Sequence, residues 1–160
     1  MKLLRTIRFD SSDDRVFEHA AASDEWAVSG AFAFAHLAPA DVTGKVKQAF
    51  ANGFLGVESF GRSTFATVAE ADQAAADEII FRLACHFVEA YGAPDIDAAW
   101  PAAQEELAFI LDLCRVAPIN TVFTVRRTFD PEGQIKEEFR TIKAPTGEPM
   151  HARIWTVEPD

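Results

Sequence analysis

The stretch INTVFTVRRTFDPEGQIKEEFRTIK, residues 119–143, decides the fold. Two runs rich in β-branched and aromatic residues flank Asp130-Pro131-Glu132-Gly133, a turn signal typical of a β-hairpin. If Asp130 faces Gln134, apolar residues pair with apolar residues across the hairpin, and bases pair with acids. These pairs are Phe129–Ile135, Arg127–Glu137, Arg126–Glu138 and Val125–Phe139. The sequence therefore predicts an antiparallel hairpin with ordinary charge pairing on the sheet surface.

Alternation of large and small or polar residues predicts more strands on either side of this hairpin. The predicted strands cover 3–9, 15–20, 26–37, a bent or bulged stretch over 54–69, and 150–157. In the third of them, Phe32, Phe34 and His36 share one face, opposite three alanines that leave room for a helix. We expect the His36 imidazole to be at least half-buried and bonded to backbone.

Three helices are predicted from apolar residues at helical spacing. The first covers 39–52, with Asn52-Gly53 as a left-handed stop. The second covers 72–91 and carries Glu78 and Arg82 four residues apart. The third runs to about residue 116, with Pro101 in its first full turn.

The predicted order of elements is β-β-β-α-β-α-α-β-β-β. It lacks the strict strand–helix alternation of a doubly wound parallel sheet and contains at least one hairpin. The length of 160 residues suits one domain. We therefore expect residues 1–160 to form a single α+β domain, a mainly antiparallel sheet packed against two or three helices.

The charge balance excludes some partners. Fifteen basic and 25 acidic residues give a formal net charge of −10, which disfavours binding to nucleic acid or to anionic membranes. The stretch 70–112 holds ten acidic residues and one basic residue, Arg82. This acidic helical layer makes Glu105, Glu106 and Asp112 a candidate interaction surface for a protein partner or a second copy of the chain.

Cys85 and Cys114 form no Cys-x-x-Cys pattern, which favours a reducing compartment. The first residues lack the apolar stretch of a secretory signal, and no apolar run is long enough to span a bilayer. A cytoplasmic location is the expectation.

The glycine-punctuated segment from Gly53 to Arg62 is the first place to look for a ligand. It is similar to phosphate-cradling loops but lacks their Gly-Lys-Ser/Thr, so a helix cap and a strand bulge are the alternative. On a strand, Glu58, Phe60 and Arg62 would project on one face. The resulting candidate ligand pocket, between the sheet and the first helix, comprises Phe32, Phe34, His36, Glu58, Phe60 and Arg62.

No familiar catalytic or metal motif is present. There is no Gly-x-Ser-x-Gly elbow and no His-Glu-x-x-His. His86 and Glu89 have a spacing that can hold a metal, but a carboxylate-bridged di-iron site needs Glu-x-x-His from two helices. Both cysteines are interpreted as small core residues. The sequence thus predicts no catalytic residue, no metal and no cofactor.

Three segments resemble an uncharacterised bacterial family of unknown function over nearly the whole chain. They are KLLRTIR at 2–8, GFLGVESFG at 53–61 and Phe139-Arg140-Thr141. The resemblance supplies no activity and no site residues. It implies genes beside those of molybdenum or iron–sulfur redox enzymes, and hence an accessory role for a redox metalloenzyme.

Two hypotheses follow. The first is a non-catalytic accessory or protein-interaction module that binds a partner, or itself, through its acidic helical layer or an exposed sheet edge. The alternative is a small-molecule-binding protein or enzyme with a pocket around the segment from Gly53 to Arg62.

Overall fold

Eight strands form one sheet in the computed structural model, which describes residues 1–142 and the backbone of residues 152–157. The strands are β1 (Lys2–Ile7), β2 (Trp26–Val28), β3 (Phe54–Gly56), β4 (Arg62–Ser63), β5 (Phe65–Glu70), β6 (Val122–Phe129), β7 (Ile135–Ile142) and β8 (Ala152–Val157). Their order across the sheet is β4-β3-β2-β1-β5-β6-β7-β8, and every neighbouring pair is antiparallel. The predicted α+β class with a mainly antiparallel sheet is confirmed.

The helices are α1 (Ser12–Val16), α2 (Gly44–Asn52), α3 (Gln73–Ala90) and α4 (Ile96–Cys114), with 3-10 turns at Ala31–Phe34 and Pro39–Asp41. The two long helices begin at aspartate caps: Asp72 accepts the amide of Ala75 at 2.8 Å, and Asp95 accepts that of Ala98 at 2.7 Å. No helix among the described residues is both long and apolar enough to span a bilayer. The described part of the chain has four helices; α2 and α4 pack on strands of the sheet and α3 packs on α4, which confirms the predicted sheet packed against two or three helices.

The predicted hairpin register is confirmed. β6 and β7 pair in the four ways expected from the sequence, from Phe129–Ile135 to Val125–Phe139. β8 extends the sheet beside β7, as predicted, and the loop and strand residues predicted over 144–151 lie outside the described residues.

The core lies on one face of this sheet. Cross-strand pairing puts six buried residues on that face: Leu4, Ala66, Val68, Phe123, Val125 and Phe139. α4 covers it, because the Phe109 ring lies 5.4 Å from that of Phe139, and α3 packs beside α4. α2 packs on β6, where the rings of Phe50 and Phe129 stack at 4.6 Å.

The predicted strand over 26–37 is wrong beyond Val28. Gly30 has a φ of +77°, a left-handed conformation that ends the strand, and the chain then enters the 3-10 turn Ala31–Phe34. Phe32 and Phe34 therefore pack against different neighbours, and His36 is exposed rather than half-buried. Alternation of large and small residues does not distinguish a strand from a turn that a glycine imposes.

Three smaller predictions also need correction. Residues 15–20 are not a strand, because α1 begins within the polar run and only Ala20 forms an isolated bridge, with Arg62. The helix predicted over 39–52 divides into a 3-10 turn and α2, and Gly53 has a φ of −98°, so the stop is not left-handed. Pro101 is the sixth residue of α4 and lies in its second turn.

Candidate functional site

A cleft of about 410 Å³ lies between the first 3-10 turn and the helices α3 and α4. Its aromatic wall consists of Phe32, Phe87 and Tyr91, with the Phe32 ring centre 4.8 Å from that of Phe87 and 5.3 Å from that of Tyr91. Small and polar residues complete the lining: Ala35, His36, Gly92, Ala93, Ala98, Ala99, Ala102, Glu105 and Glu106. We call this the α4 cleft. An apolar wall with a few polar groups is typical of a binding site.

Local structure explains why these residues converge. α3 ends next to Tyr91, Gly92 turns the chain with a φ of +77°, and Asp95 starts α4 in the opposite direction. The end of α3 and the start of α4 therefore form one surface. The turn at Gly30 then brings Phe32 against it.

Glu106 is the electrostatically unusual residue of the α4 cleft. Burial, and then the negative charge of Glu137, raise the pKa of its carboxyl to about 7, against the opposing positive charge of Arg127. Near neutral pH this carboxyl binds or releases a proton readily. Perturbed groups in clefts mark candidate functional sites.

The predicted ligand-pocket residues are distributed over three places. Phe32 and His36 line the α4 cleft. Phe34, Phe60 and Arg62 line a separate cavity of about 170 Å³, which we call the Arg62 cavity. Glu58 is exposed beside Trp26 on another part of the surface, because residues 57–61 form a turn rather than a strand.

The predicted interaction surface is divided in the same way. Glu105 and Glu106 line the α4 cleft. Asp112 lies outside it, exposed at the end of α4 and 3.7 Å from Arg115. The structure thus joins part of the predicted pocket with part of the predicted acidic surface in one cleft.

The loop that is similar to a phosphate cradle holds an anion of the chain itself. The buried Glu25 carboxylate accepts the amides of Ala22, Glu58 and Ser59 at 2.7, 3.1 and 2.7 Å, and the Ser59 hydroxyl at 2.8 Å. Gly56 makes room for it, since a Cβ there would lie 2.6 Å from Glu25 Oε1. Sequence reasoning missed Glu25, which has no local signal. This loop therefore offers its amides to a side chain rather than to a phosphate.

Arg127 is buried, which corrects the prediction that it pairs on the sheet surface. Its Nε donates to Glu137 Oε2 at 2.9 Å, and its other nitrogens donate to backbone carbonyls. Those carbonyls belong to Ser29, Ala49, Phe50 and Gly53. Burial lowers the pKa of Arg127, and Glu137 opposes this change. Because its donors are directed at the protein, we assign Arg127 a structural role.

A third cavity surrounds the Cys85-His86 pair. The His86 ring stacks on Phe60 with ring centres 3.8 Å apart, and burial lowers the pKa of the imidazole. Glu89 lines the same cavity, but the described part of the chain contains no group of three side chains suited to hold a metal ion. Cys114 is fully buried, and burial raises the pKa of its thiol to about 12. Cys85 is half-buried.

Comparison with known proteins supplies a family without an activity. No curated protein and no solved structure is significantly similar to the chain. One family model covers residues 1–155, which include every side chain of the α4 cleft and of the Arg62 cavity. The chain therefore belongs to the family of unknown function DUF6505.

Proposed function

We propose that this protein is a non-catalytic accessory module that binds a partner protein through the α4 cleft. The occupant would be an extended or helical segment that presents an apolar side chain next to lysine or arginine. The observation that carries the proposal is the convergence of Phe32 from the 3-10 turn, and of two aromatic residues at the end of α3, with two glutamates of α4 in one cleft.

The apolar part of the cleft suits a side chain of the partner. Ala98, Ala99 and Ala102 provide small side chains over which another chain can approach closely. Phe32 and Tyr91 provide aromatic surface at its side, and aromatic anchors are enriched at protein interfaces.

The charge of the cleft selects the rest of the occupant. Glu105 and Glu106 lie on α4, within the acidic stretch 70–112 of a chain with a net charge of −10. A basic residue beside the apolar anchor of the partner complements the negative potential of the cleft, whereas an acidic residue there would be repelled. Electrostatic attraction of this kind weakens as salt is added.

The chemistry of the lining favours binding over catalysis. The α4 cleft is lined by no serine, threonine, cysteine or lysine among the described residues, so it offers no common nucleophile beside His36 and Glu106. We propose a subunit of a redox metalloenzyme as the partner class, and the following experiment identifies the partner.

Site-specific photocrosslinking in the native host identifies the partner. A benzoylphenylalanine at Ala102 in the cleft is compared with the same residue at Ala108, which is exposed on α4 but does not line the cleft. We expect position 102 to crosslink one protein, at an apolar residue flanked by basic residues. Equal crosslinking at both positions, or none at position 102, contradicts the proposal, and a crosslinked dimer makes a second copy the occupant.

A peptide that spans the crosslinked segment then measures the affinity. Glu105→Lys should weaken its binding by about tenfold, with a smaller dependence on salt, because the substitution reverses a charge at the cleft. Asp112→Lys makes the same charge change outside the cleft and should change the affinity by no more than about twofold. Equal effects of the two substitutions contradict the cleft as the docking site.

A further inference from the structure

Arg62 is a buried cation with few partners. The residue is 8% exposed, and its guanidinium donates to the carbonyls of Gly53 and Gly30, each at 3.2 Å. The Phe34 ring covers it, with the ring centre 4.7 Å from Cζ. Among residues 1–142, Arg62 forms no ion pair with a carboxylate.

The neighbouring Arg127 makes this charge harder to balance. Both guanidiniums donate to the carbonyl of Gly53, Arg127 at 2.8 Å. Glu137 pairs directly with Arg127, so within residues 1–142 the positive charge of Arg62 is left without a carboxylate of its own. Burial and then the charge of Arg127 lower the pKa of Arg62 to about 9, at which it remains protonated at neutral pH. A buried cation without a counter-charge destabilises a fold.

The Arg62 cavity supplies a place for that counter-charge. Two further groups that can carry positive charge, Lys45 and His19, line it together with a single acid, Glu18. The remaining lining is apolar: Phe17, Phe34, Val46, Ala49 and Phe60. Its volume of about 170 Å³ is smaller than the roughly 300–1,000 Å³ of a site for a drug-sized ligand. The occupant must therefore be small.

We infer that the Arg62 cavity binds a small oxyanion, a phosphate or a short carboxylate, with Arg62 at its base and Lys45 supplying a second positive charge. The Arg62 cavity and the α4 cleft share no lining residue, so this inference does not depend on the docking role proposed for the α4 cleft. It develops the alternative hypothesis of a small-molecule-binding protein. The anion would neutralise the positive charge of Arg62, which Glu137 does not balance because it pairs with Arg127.

Two backbone hydrogen bonds allow binding at Arg62 to be followed by the NMR shifts of nearby amides. The Arg62 amide donates to the His19 carbonyl at 2.8 Å, and the Ala21 amide donates to the Arg62 carbonyl at 2.8 Å. His19 Nε2 lies 2.9 Å from the Ser59 carbonyl, which ties the side of the cavity to the turn at 57–61. A change at Arg62 should therefore alter the NMR shifts of the amides of residues 19–21 and 62.

The test is a titration of the full chain with inorganic phosphate, and separately with succinate, at an ionic strength held constant with chloride. Saturable shifts in the ¹H–¹⁵N spectrum at these amides support the site, and competition between the two anions shows which chemistry it prefers. Shifts that remain linear, or that spread over the surface with both anions, overturn the proposal.

Matched variants separate the cavity from the general surface charge. Lys45→Ala should weaken binding by about threefold or more, whereas Lys47→Ala removes the same charge from an exposed residue outside the cavity and should leave it unchanged. Equal effects of the two substitutions overturn the proposal.

Arg62→Met should abolish the rise in melting temperature that phosphate gives the wild type. If Arg62→Met does not fold, the two lysine variants still decide, and neither result bears on the crosslinking at the α4 cleft.

Discussion

Arg127 and Glu137 form a buried ion pair across the β6–β7 hairpin, with Arg127 Nε 2.9 Å from Glu137 Oε2. The pair does more than join two strands. Arg127 also donates to the carbonyl of Ser29 after β2 and to those of Phe50 and Gly53 at the end of α2. One side chain thus connects the hairpin with the chain just before the first 3-10 turn, whose Phe32 lines the α4 cleft, and with α2, which lines the Arg62 cavity.

Glu137→Gln should destabilise the protein strongly. The substitution leaves the Arg127 guanidinium buried without its counter-charge, and breaking one side of a buried ion pair costs about 3–5 kcal/mol. The measurement is the free energy of unfolding in urea. Glu138→Gln is the control. Among residues 1–142 the ion pair given for Glu138 is a long, partly exposed one with Arg140 at 3.9 Å, so the substitution should change the free energy of unfolding by about 0.5 kcal/mol or less. A Glu137→Gln loss as small as that of the control would show that Arg127 is not held by this pair.

Glu25→Gln should loosen the turn at residues 57–61. The carboxylate accepts hydrogen bonds from the amides of Glu58 and Ser59. In glutamine one of the two oxygens becomes an NH₂ group, which is a donor and cannot accept these hydrogen bonds. We expect a loss of at least about 2 kcal/mol in unfolding free energy. Hydrogen exchange at the two amides should accelerate. Glu58→Gln is the control, because it keeps the Glu58 backbone amide and changes only an exposed carboxylate. In this variant we expect the exchange rates of the two amides to be unchanged. Faster exchange in the control alone would contradict the role of Glu25.

Gly30→Ala should destabilise the fold more than Gly44→Ala. Both glycines have positive φ, +77° and +59°, so each substitution has a conformational cost. At Gly30 a new Cβ would also lie 2.6 Å from Leu55 Cβ and from Arg62 Nη1, whereas at Gly44 it would meet nothing within 4 Å. Overpacking of this kind adds about 1–3 kcal/mol, which chemical denaturation can resolve. Equal losses would mean that the contacts around Gly30 adjust without cost.

The parts of the fold that sequence predicts well are those whose pairing is local. The β6–β7 register follows from complementary residues on either side of one turn. The presence of α3 and α4 follows from long apolar stripes at helical spacing, and in the structure Asp72 and Asp95 cap their first turns. In each case the deciding residues lie close together along the chain.

The errors arise where distant residues decide. The chain turns at Gly30, which packs against Leu55 and Arg62. Residues 26–37 by themselves show only an alternation of large and small side chains. Arg127 is buried among carbonyls that follow β2 and α2, which its neighbours in sequence do not indicate. The α4 cleft likewise joins Phe32 to Glu106, and no short pattern connects them.

Glu106 should make the stability of the protein depend on pH between about 4.5 and 7. Burial raises the pKa of this carboxyl from 4.5 to about 7, so in that range the folded state binds more protons than the unfolded state. The contribution of Glu106 to stability is therefore fully present below pH 4.5 and is lost as the pH rises through about 7, by up to about 3 kcal/mol. Glu106→Gln removes the ionised form, so the variant should gain stability relative to the wild type as the pH rises. Urea unfolding at about pH 5 and pH 8 measures this difference. Glu105→Gln removes an exposed carboxylate next to it and is the control; if both variants show the same pH dependence, the carboxyl of Glu106 is not the group that titrates.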